Sequence, residues 1–354
     1  MATNRIVFTG GGSAGHVTPN LAIIAELDKK KWEIHYIGSE KGIEKELIAK
    51  IGIPYHGISS GKLRRYIDFE NVKDIFRVMK GCYDAWKVLK KLKPRLVFSK
   101  GGFVSVPVVI AANLLKIPVF IHESDLTPGL ANKIAQRFAT KIFTSFEETV
   151  NYFPGKKAVA IGSPIRIEIL NGSGVQGRKL LNFNEKKPIL TIMGGSLGAR
   201  KINEAVRGNL PWLTDRFQVV HLCGKGQMDT NLSGLPGYRQ FEYVHEELPD
   251  LLAATDLVIT RGGSNSIFEF LALGIPMLII PLTLQQSRGD QILNAKTFHK
   301  NGFSLTLEEE GLNSESFKKA VDELQLKSQE IKMNMKKVNK QNAIDVLLGE
   351  IENY

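Results

Sequence analysis

Residues 5–12, RIVFTGGG, run Ile6, Val7, Phe8 and Thr9 straight into three glycines. An apolar, β-branched run bounded by glycine reads as a buried parallel strand, and the glycines let the chain turn sharply at its carboxyl end into a helix. The pattern occurs three more times: RLVFSKGGF (95–103), PILTIMGGS (188–196) and DLVITRGGS (256–264). Two copies lie in each half of the chain. Further strand candidates (WEIHYIG, IPVFIHE, KIFTSF, FQVVHLCG, PMLIIPL) alternate with helix-length periodic segments, the signature of βαβ units. Two doubly wound α/β domains facing a cleft are expected, with ligands at the carboxyl ends of the strands.

Between the halves, IGSPIRIEILNGSGVQGRK carries turn residues and loses hydrophobic periodicity, so the boundary is read near Pro164. The expected domains are 1–163, 164–340 and a helical tail, 341–354. At roughly 150 residues per domain, a chain of 354 residues is about two domains long. With 43% hydrophobic and 23% charged residues it has the composition of a globular protein, not of a disordered or fibrous one. The formal charge of +11 asks for an anionic partner: nucleotide phosphates, nucleic acid or an acidic membrane surface. Cys82 and Cys223 stand far apart, which suggests neither a disulfide framework nor a zinc site and fits a reducing compartment. No apolar run approaches the ~18 residues of a membrane span.

The motifs divide by chemistry. GGGSAGH (10–16) contains Gly10-x-Gly12-x-x-Gly15, a formal dinucleotide fingerprint, and Glu40 stands near the position of the acidic residue a nicotinamide enzyme would place on a ribose. His16 and Pro19, and an equivalent loop in the other half, argue against a dehydrogenase. His16 is the one histidine inside a glycine loop, where an imidazole can act as a general base. GGSLGAR (194–200) has the make-up of a phosphate cradle, with Ser196 above a helix N-terminus. RGGSNSIFEF places Ser264, Asn265 and Ser266 at a helix start and Glu269 about a turn further on, where a carboxylate could accept both hydroxyls of a ribose or merely suit the dipole. PLTLQQSRGDQILNA offers Gln285, Gln286, Asp290 and Gln291, and HESDLTPGLANK offers His122, Glu123 and Asp125.

Residues 61–100 hold twelve Lys and Arg against four Asp and Glu, an excess of eight positive charges. Val72, Ile75, Phe76, Met79, Tyr83, Trp86 and Leu89 recur there at helical spacing. Such stripes mostly pack on the sheet, while a basic rim with exposed aromatics suits anionic lipid. No nucleic-acid motif accompanies the charge.

In their order, GGGSAGHVTPN, SKGGFVSVP, HESDLTPGLANK, GSPIR, GGSLGAR, RGGSNSIFEFLALGIP and QSRGDQILNA resemble the MurG family of UDP-N-acetylglucosamine-dependent transferases of peptidoglycan synthesis, over roughly residues 5 to 300. The resemblance implies a GT-B fold with an acceptor-binding, membrane-facing first domain and a donor-binding second one. It also implies an inverting transfer of N-acetylglucosamine to the 4-hydroxyl of a lipid-linked muramyl pentapeptide, carried out peripherally at the cytoplasmic face of the cell membrane. Carried onto this chain, it puts Arg166 and Ser196 on the donor diphosphate, Glu269 on the ribose, Gln291 on the N-acetylglucosamine hydroxyls and Ser264–Ser266 along the uridine and phosphates. Ser13, Ala14, Gly15 and His16 would face the reacting centre, with His16 as base and Asp125 toward the donor sugar. Arg166, Ser196 and a helix N-terminus would stabilise the departing UDP, so no metal and no cofactor beyond the donor are expected. The chain departs from the family pattern at Ser13-Ala14-Gly15 (Thr-Gly-Gly), Ser124-Asp125 (Gln-Asn), Leu197 (Gln) and Asp290-Gln291 (a Gln pair), and Asp125 cannot donate as an amide would. A lipid glycosyltransferase with another acceptor, such as diacylglycerol, and a sugar-nucleotide-binding paralogue without turnover remain as alternatives.

Overall fold

The computed structural model describes residues 4–61, 69–184, 186–195, 198–338 and 342–354, with backbone only at 69–73 and 75. The chain forms two compact units, Met1–Arg166 with Gln341–Tyr354, and Ile167–Lys340. In the first, β1 (Asn4–Thr9), β2 (Trp32–Ser39), β3 (Tyr55–Ile58), β4 (Leu96–Ser99), β5 (Val119–Glu123), β6 (Lys141–Thr144) and β7 (Ala158–Ala160) pair in parallel in the order β3-β2-β1-β4-β5-β6-β7. In the second, β8 (Ile189–Met193), β9 (Gln218–Leu222), β10 (Tyr238–Phe241), β11 (Leu257–Thr260), β12 (Met277–Ile279) and β13 (Ser304–Thr306) pair in parallel in the order β10-β9-β8-β11-β12-β13. Both are doubly wound sheets, and the strand order reverses between β1 and β4 and between β8 and β11. The strands carrying the four glycine motifs are those four, so the motifs flank the two switch points where such sheets bind ligands.

Both faces of the first sheet are apolar because alternate residues of each strand feed opposite layers. Ile6, Phe8, Leu96, Phe98, Phe120 and Phe143 pack on one side with Ile23 and Leu347, whereas Val7, Val97, Val119, Ile121 and Ile142 pack on the other with Leu89 and Val108. The stretch 341–354, read from sequence as a tail apart from both domains, instead completes the first unit. Its helix Ala343–Glu352 buries Ala343, Ile344, Leu347 and Ile351 at helical spacing, Lys141 pairs with Glu350, and the Tyr354 ring meets Phe120 edge-on at 5.2 Å.

The units divide at Arg166 and Ile167, just past the expected Pro164, but the junction is more ordered than its turn residues suggest. Residues 162–166 stay with the first unit, while Gly174–Leu181 forms a helix of the second. A Cβ at Gly172 or Gly177 would collide with the backbone of Pro249 or Asp250. These glycines admit a neighbouring helix and do not loosen a linker.

The helix Phe69–Leu92 splits the expected apolar stripe. Ala85, Leu89 and Leu92 are buried against the sheet, but Phe76, Met79 and Tyr83 are more than half exposed, at 66%, 62% and 55%. Val72 and Ile75 fall outside the described side chains.

Candidate functional site

The structure gathers the expected site residues into two groups, one per unit, each at the carboxyl ends of its strands. In the first unit the turn after β1 leads through exposed Ser13 into the short turn Ala14–His16, where the His16 N–H donates to Ser13 O at 3.2 Å. Gly12 has φ of +85°, a conformation glycine takes freely. Asp125 follows β5 by two residues and is half-buried; its backbone N–H donates to Glu123 Oε1 at 3.0 Å. Arg166 closes the unit.

Glu44, which motif reading passed over, completes this group. It starts the helix Ile43–Ala49 fully buried, and its carboxylate accepts from Gly12 N at 3.2 Å, Ser39 N at 3.0 Å and Ser39 Oγ at 2.6 Å. A Cβ at Gly11 would sit 2.5 Å from that carboxylate. The loop therefore already spends an N–H on a negative group, the opposite of what a pyrophosphate needs, and Glu40 is exposed at the end of β2. The occupied Gly12 N–H argues against the dinucleotide reading. The sequence shows only an acid five residues past a strand end, within GSEKGIE; its burial and its reach to Gly12 appear only in the fold.

A second buried network lies under the ends of β4 and β5. Lys100 is 2% exposed, and its ammonium donates to His122 Nδ1 at 2.7 Å and to Ser124 Oγ. Burial pulls its pKa down to about 8 against the opposing pull of Glu123 and Asp125. His122 is held well below its ordinary range by burial and then by the Lys100 charge. Burial, followed by the Asp125 carboxylate, pushes Glu123 up, although it accepts from Asn132 Nδ2 at 2.9 Å and Gly129 N at 3.0 Å.

In the second unit the described members of the group follow β11 and β12. Ser264, Asn265 and Ser266 form the first turn of the helix Ser264–Leu273, and buried Glu269 lies on the next turn. Gly262 carries this helix close to the following one: a Cβ there would stand 2.5 Å from Gln291 O, and Asn294 Nδ2 donates to Gly262 O at 3.0 Å. Gln291, in the helix Asp290–Lys300, accepts from Leu282 N through Oε1 at 3.1 Å, so what its side chain can offer a ligand is the N–H2. Asp290 is paired with Arg288 at 2.7 Å, and Gln285 and Gln286 are exposed. Ser196 and Leu197 lie outside the described residues.

Arg261 was likewise missed. Buried at the end of β11, it donates to Ile280 O at 3.0 Å and Pro281 O at 3.3 Å while pairing with buried Glu309. It fixes the turn that leads to Gln291, a role no local spacing reveals because Glu309 comes from beyond β13.

The arrangement offers a helix N-terminus, a buried carboxylate and an amide in one unit, and a glycine loop with an imidazole in the other. Comparison with known proteins agrees with that chemistry. The N-terminal domain of glycosyltransferase family 28 matches residues 6–144 and its C-terminal domain residues 189–347. A Bacillus cereus protein named UDP-N-acetylglucosamine--N-acetylmuramyl-(pentapeptide) pyrophosphoryl-undecaprenol N-acetylglucosamine transferase 2 is 58% identical over 347 residues, 98% of this chain and 99% of its own length. The transferase of the same name, without the number, from Shouchella clausii is 61% identical over 320 residues, covering 90% of each chain. The crystal structure of Acinetobacter baumannii MurG shares the fold, with a TM-score of 0.79 at 23% identity over 100% of both chains. With two α/β units that place their glycine motifs at the switch points, and with near full-length identity to these transferases, the chain belongs to the MurG family of GT-B glycosyltransferases.

Proposed function

We propose that this protein transfers N-acetylglucosamine from its UDP donor to the 4-hydroxyl of the muramyl sugar of undecaprenyl-pyrophosphoryl-muramyl-pentapeptide. The observation that carries the reading is the identity of 58% across 98% of the chain to a relative named for that reaction. The residue chemistry supports it from below.

In the second unit, Glu269 accepts the ribose hydroxyls, the N-terminal turn Ser264–Ser266 runs along the uridine and phosphates, and Gln291 donates to the sugar. Arg166 and Ser196 take the diphosphate, while Asp125 and the Ser13-Ala14-Gly15 turn line the donor sugar. His16 accepts the proton of the acceptor hydroxyl as its oxygen attacks the anomeric carbon on the face opposite UDP. That bond forms as the bond to the UDP oxygen breaks, which inverts the anomeric centre. Negative charge grows on the leaving diphosphate, and a guanidinium with oriented N–H groups stabilises it at the moment of bond breaking. Cations of the protein can supply that stabilisation, so we expect transfer without a metal.

The exposed face of Phe69–Leu92 supports peripheral docking on an anionic membrane. Phe76, Met79 and Tyr83 stand out among exposed Lys80, Lys87, Lys90 and Lys91, and Lys87 and Lys90 lie 4.4 and 4.5 Å over the Tyr83 and Trp86 rings. Each basic residue at an anionic surface contributes about 1 kcal/mol. Among the described residues no helix is long and apolar enough to cross a membrane.

The test is transfer of labelled N-acetylglucosamine from its UDP donor to a short-chain muramyl-pentapeptide lipid, and separately to diacylglycerol, with EDTA present. Wild type should label the muramyl lipid alone. Glu269→Ala should lose at least about a hundredfold in kcat/KM, the scale of a missing polar partner for a substrate hydroxyl pair. UDP-sugar binding with no transfer to the muramyl lipid would sink the reading.

A further inference from the structure

The Lys100 network leads out of the sheet in one direction. His122 Nε2 lies 3.2 Å from Gly162 O, and a carbonyl oxygen can only accept, so the ring proton is on Nε2. His122 is fully buried and neutral, so it has one ring proton and Nδ1 is bare. Nδ1 must then be the acceptor of the 2.7 Å bond, and Lys100 is the donor. Lys100 in turn is fixed on its other sides: its own N–H donates to Thr9 O at 2.9 Å, its Cβ stands 3.2 Å from where a Gly10 Cβ would be, and its ammonium also holds Ser124 Oγ. The chain of donors runs Lys100 to His122 to the Gly162 carbonyl.

Gly162, with φ of +84°, opens the stretch Gly162-Ser163-Pro164-Ile165-Arg166, whose middle three residues are buried. Pro164 contributes no N–H, and among the described residues the side-chain bond to this segment's first carbonyl is the one from His122. We propose that Lys100 is a positioning residue for the donor diphosphate: by locking the His122 tautomer it pins the Gly162 carbonyl and sets the path of the chain to Arg166. This rests on the transferase reading, in which Arg166 holds the diphosphate. The charged groups facing Lys100 are Glu123 and Asp125, both from the end of β5, and they keep its ammonium protonated at neutral pH despite burial.

The experiment measures KM for UDP-N-acetylglucosamine and for the muramyl lipid separately, with UDP affinity by calorimetry, in wild type, Lys100→Met, His122→Asn and the double variant. His122→Asn keeps an acceptor near Nδ1 and loses the reach to Gly162. The expected result is a donor KM and UDP Kd raised at least about tenfold in both single variants, an unchanged acceptor KM, and a double variant no worse than the worse single. A general loosening of the first unit would move the acceptor KM as well. Folded Lys100→Met protein with wild-type donor KM overturns the proposal while leaving the transferase reading intact; wild type that neither binds nor uses the UDP-sugar overturns both. Should Lys100→Met fail to fold, 15N NMR of histidine-labelled wild type decides: a neutral His122 protonated at Nε2 supports the proposal, and a proton on Nδ1 overturns it.

Discussion

In the first unit the turn after β1 gives its Gly12 N–H to the buried Glu44 carboxylate at 3.2 Å, whereas in the second the turn after β8 leads into a helix whose first turn carries Arg200 and Lys201. The two begin from the same strand-into-glycine pattern and share a backbone reason for it. They differ in what the rest of the unit brings to them. A glycine run sets how closely a ligand or another chain segment can approach, and the neighbouring charges decide whether that ligand is an anion. The first loop already has a carboxylate on its N–H, whereas the cations beside the second, Arg200 and Lys201, are paired with Glu204 and Glu309.

The glycines themselves give the sharpest contrast. A Cβ at Gly198, where φ is +78°, would run into the Cys223 carbonyl, whereas one at Gly12, at +85°, would meet the Phe103 ring. Backbone cannot yield and a half-buried ring can. Gly198→Ala should cost roughly 4 kcal/mol, the sum of left-handed strain and a backbone clash, and Gly12→Ala about 1 to 2. Urea denaturation of both reads the difference, and equal losses would remove the distinction between the loops.

Next in size is Glu44. Glu44→Ala leaves Gly12 N–H, Ser39 N–H and the Ser39 hydroxyl without their acceptor and should cost about 3 kcal/mol, while Glu44→Gln keeps an accepting oxygen and should cost about 1. If Glu44→Ala proved as stable as wild type, the loop would owe its shape to glycine alone, and the electrostatic half of the comparison would fall.

Lys100 supplies a smaller, pH-dependent effect. Its pKa is about 8 folded against an ordinary lysine value of 10.5, so between those limits the unfolded chain binds more protons and stability rises with pH. The slope should approach about 1 kcal/mol per pH unit at mid-window. Tyr36 and Tyr55, pushed up by burial, oppose it above pH 10, since the folded chain keeps protons there that the unfolded chain sheds. Thermal melts of wild type and Lys100→Met from pH 7.5 to 10 isolate the lysine: the rise should be absent from the variant.

The fold was legible because its determinants are local. Continuous apolar runs ending in glycine mark parallel strands buried on both faces, and four of them, in two pairs, mark both sheets and the ends at which such sheets bind ligands. The residues that hold the site together were not legible, because each acts across the sequence. Glu44 reaches Gly12, Lys100 reaches His122, and Arg261 meets Glu309 only after the sheets assemble. The final helix escaped for the same reason. Its sequence reads as a tail apart from both domains, and only the finished first sheet offers, beside Phe120 and Leu96, the surface that Leu347 and Ile351 cover.

The smallest effect on stability tests the helix Phe69–Leu92, where one element serves two environments. Its inner face buries Ala85 and Leu89 completely, and Ala85→Asp would place a charge in the core. The outer side chains Phe76 and Met79 are 66% and 62% exposed and lose little water-accessible area on folding, so Phe76→Ser with Met79→Ser should shift stability by no more than about 0.5 kcal/mol. The same double variant should weaken sedimentation with vesicles containing anionic lipid, and added salt should weaken wild-type binding through the neighbouring lysines. If the variant binds vesicles as wild type does while salt still releases both, the lysines alone carry the docking and the aromatic face serves another purpose. If the variant melts several degrees lower, the outer face is packed in solution, and the split read from this helix is wrong.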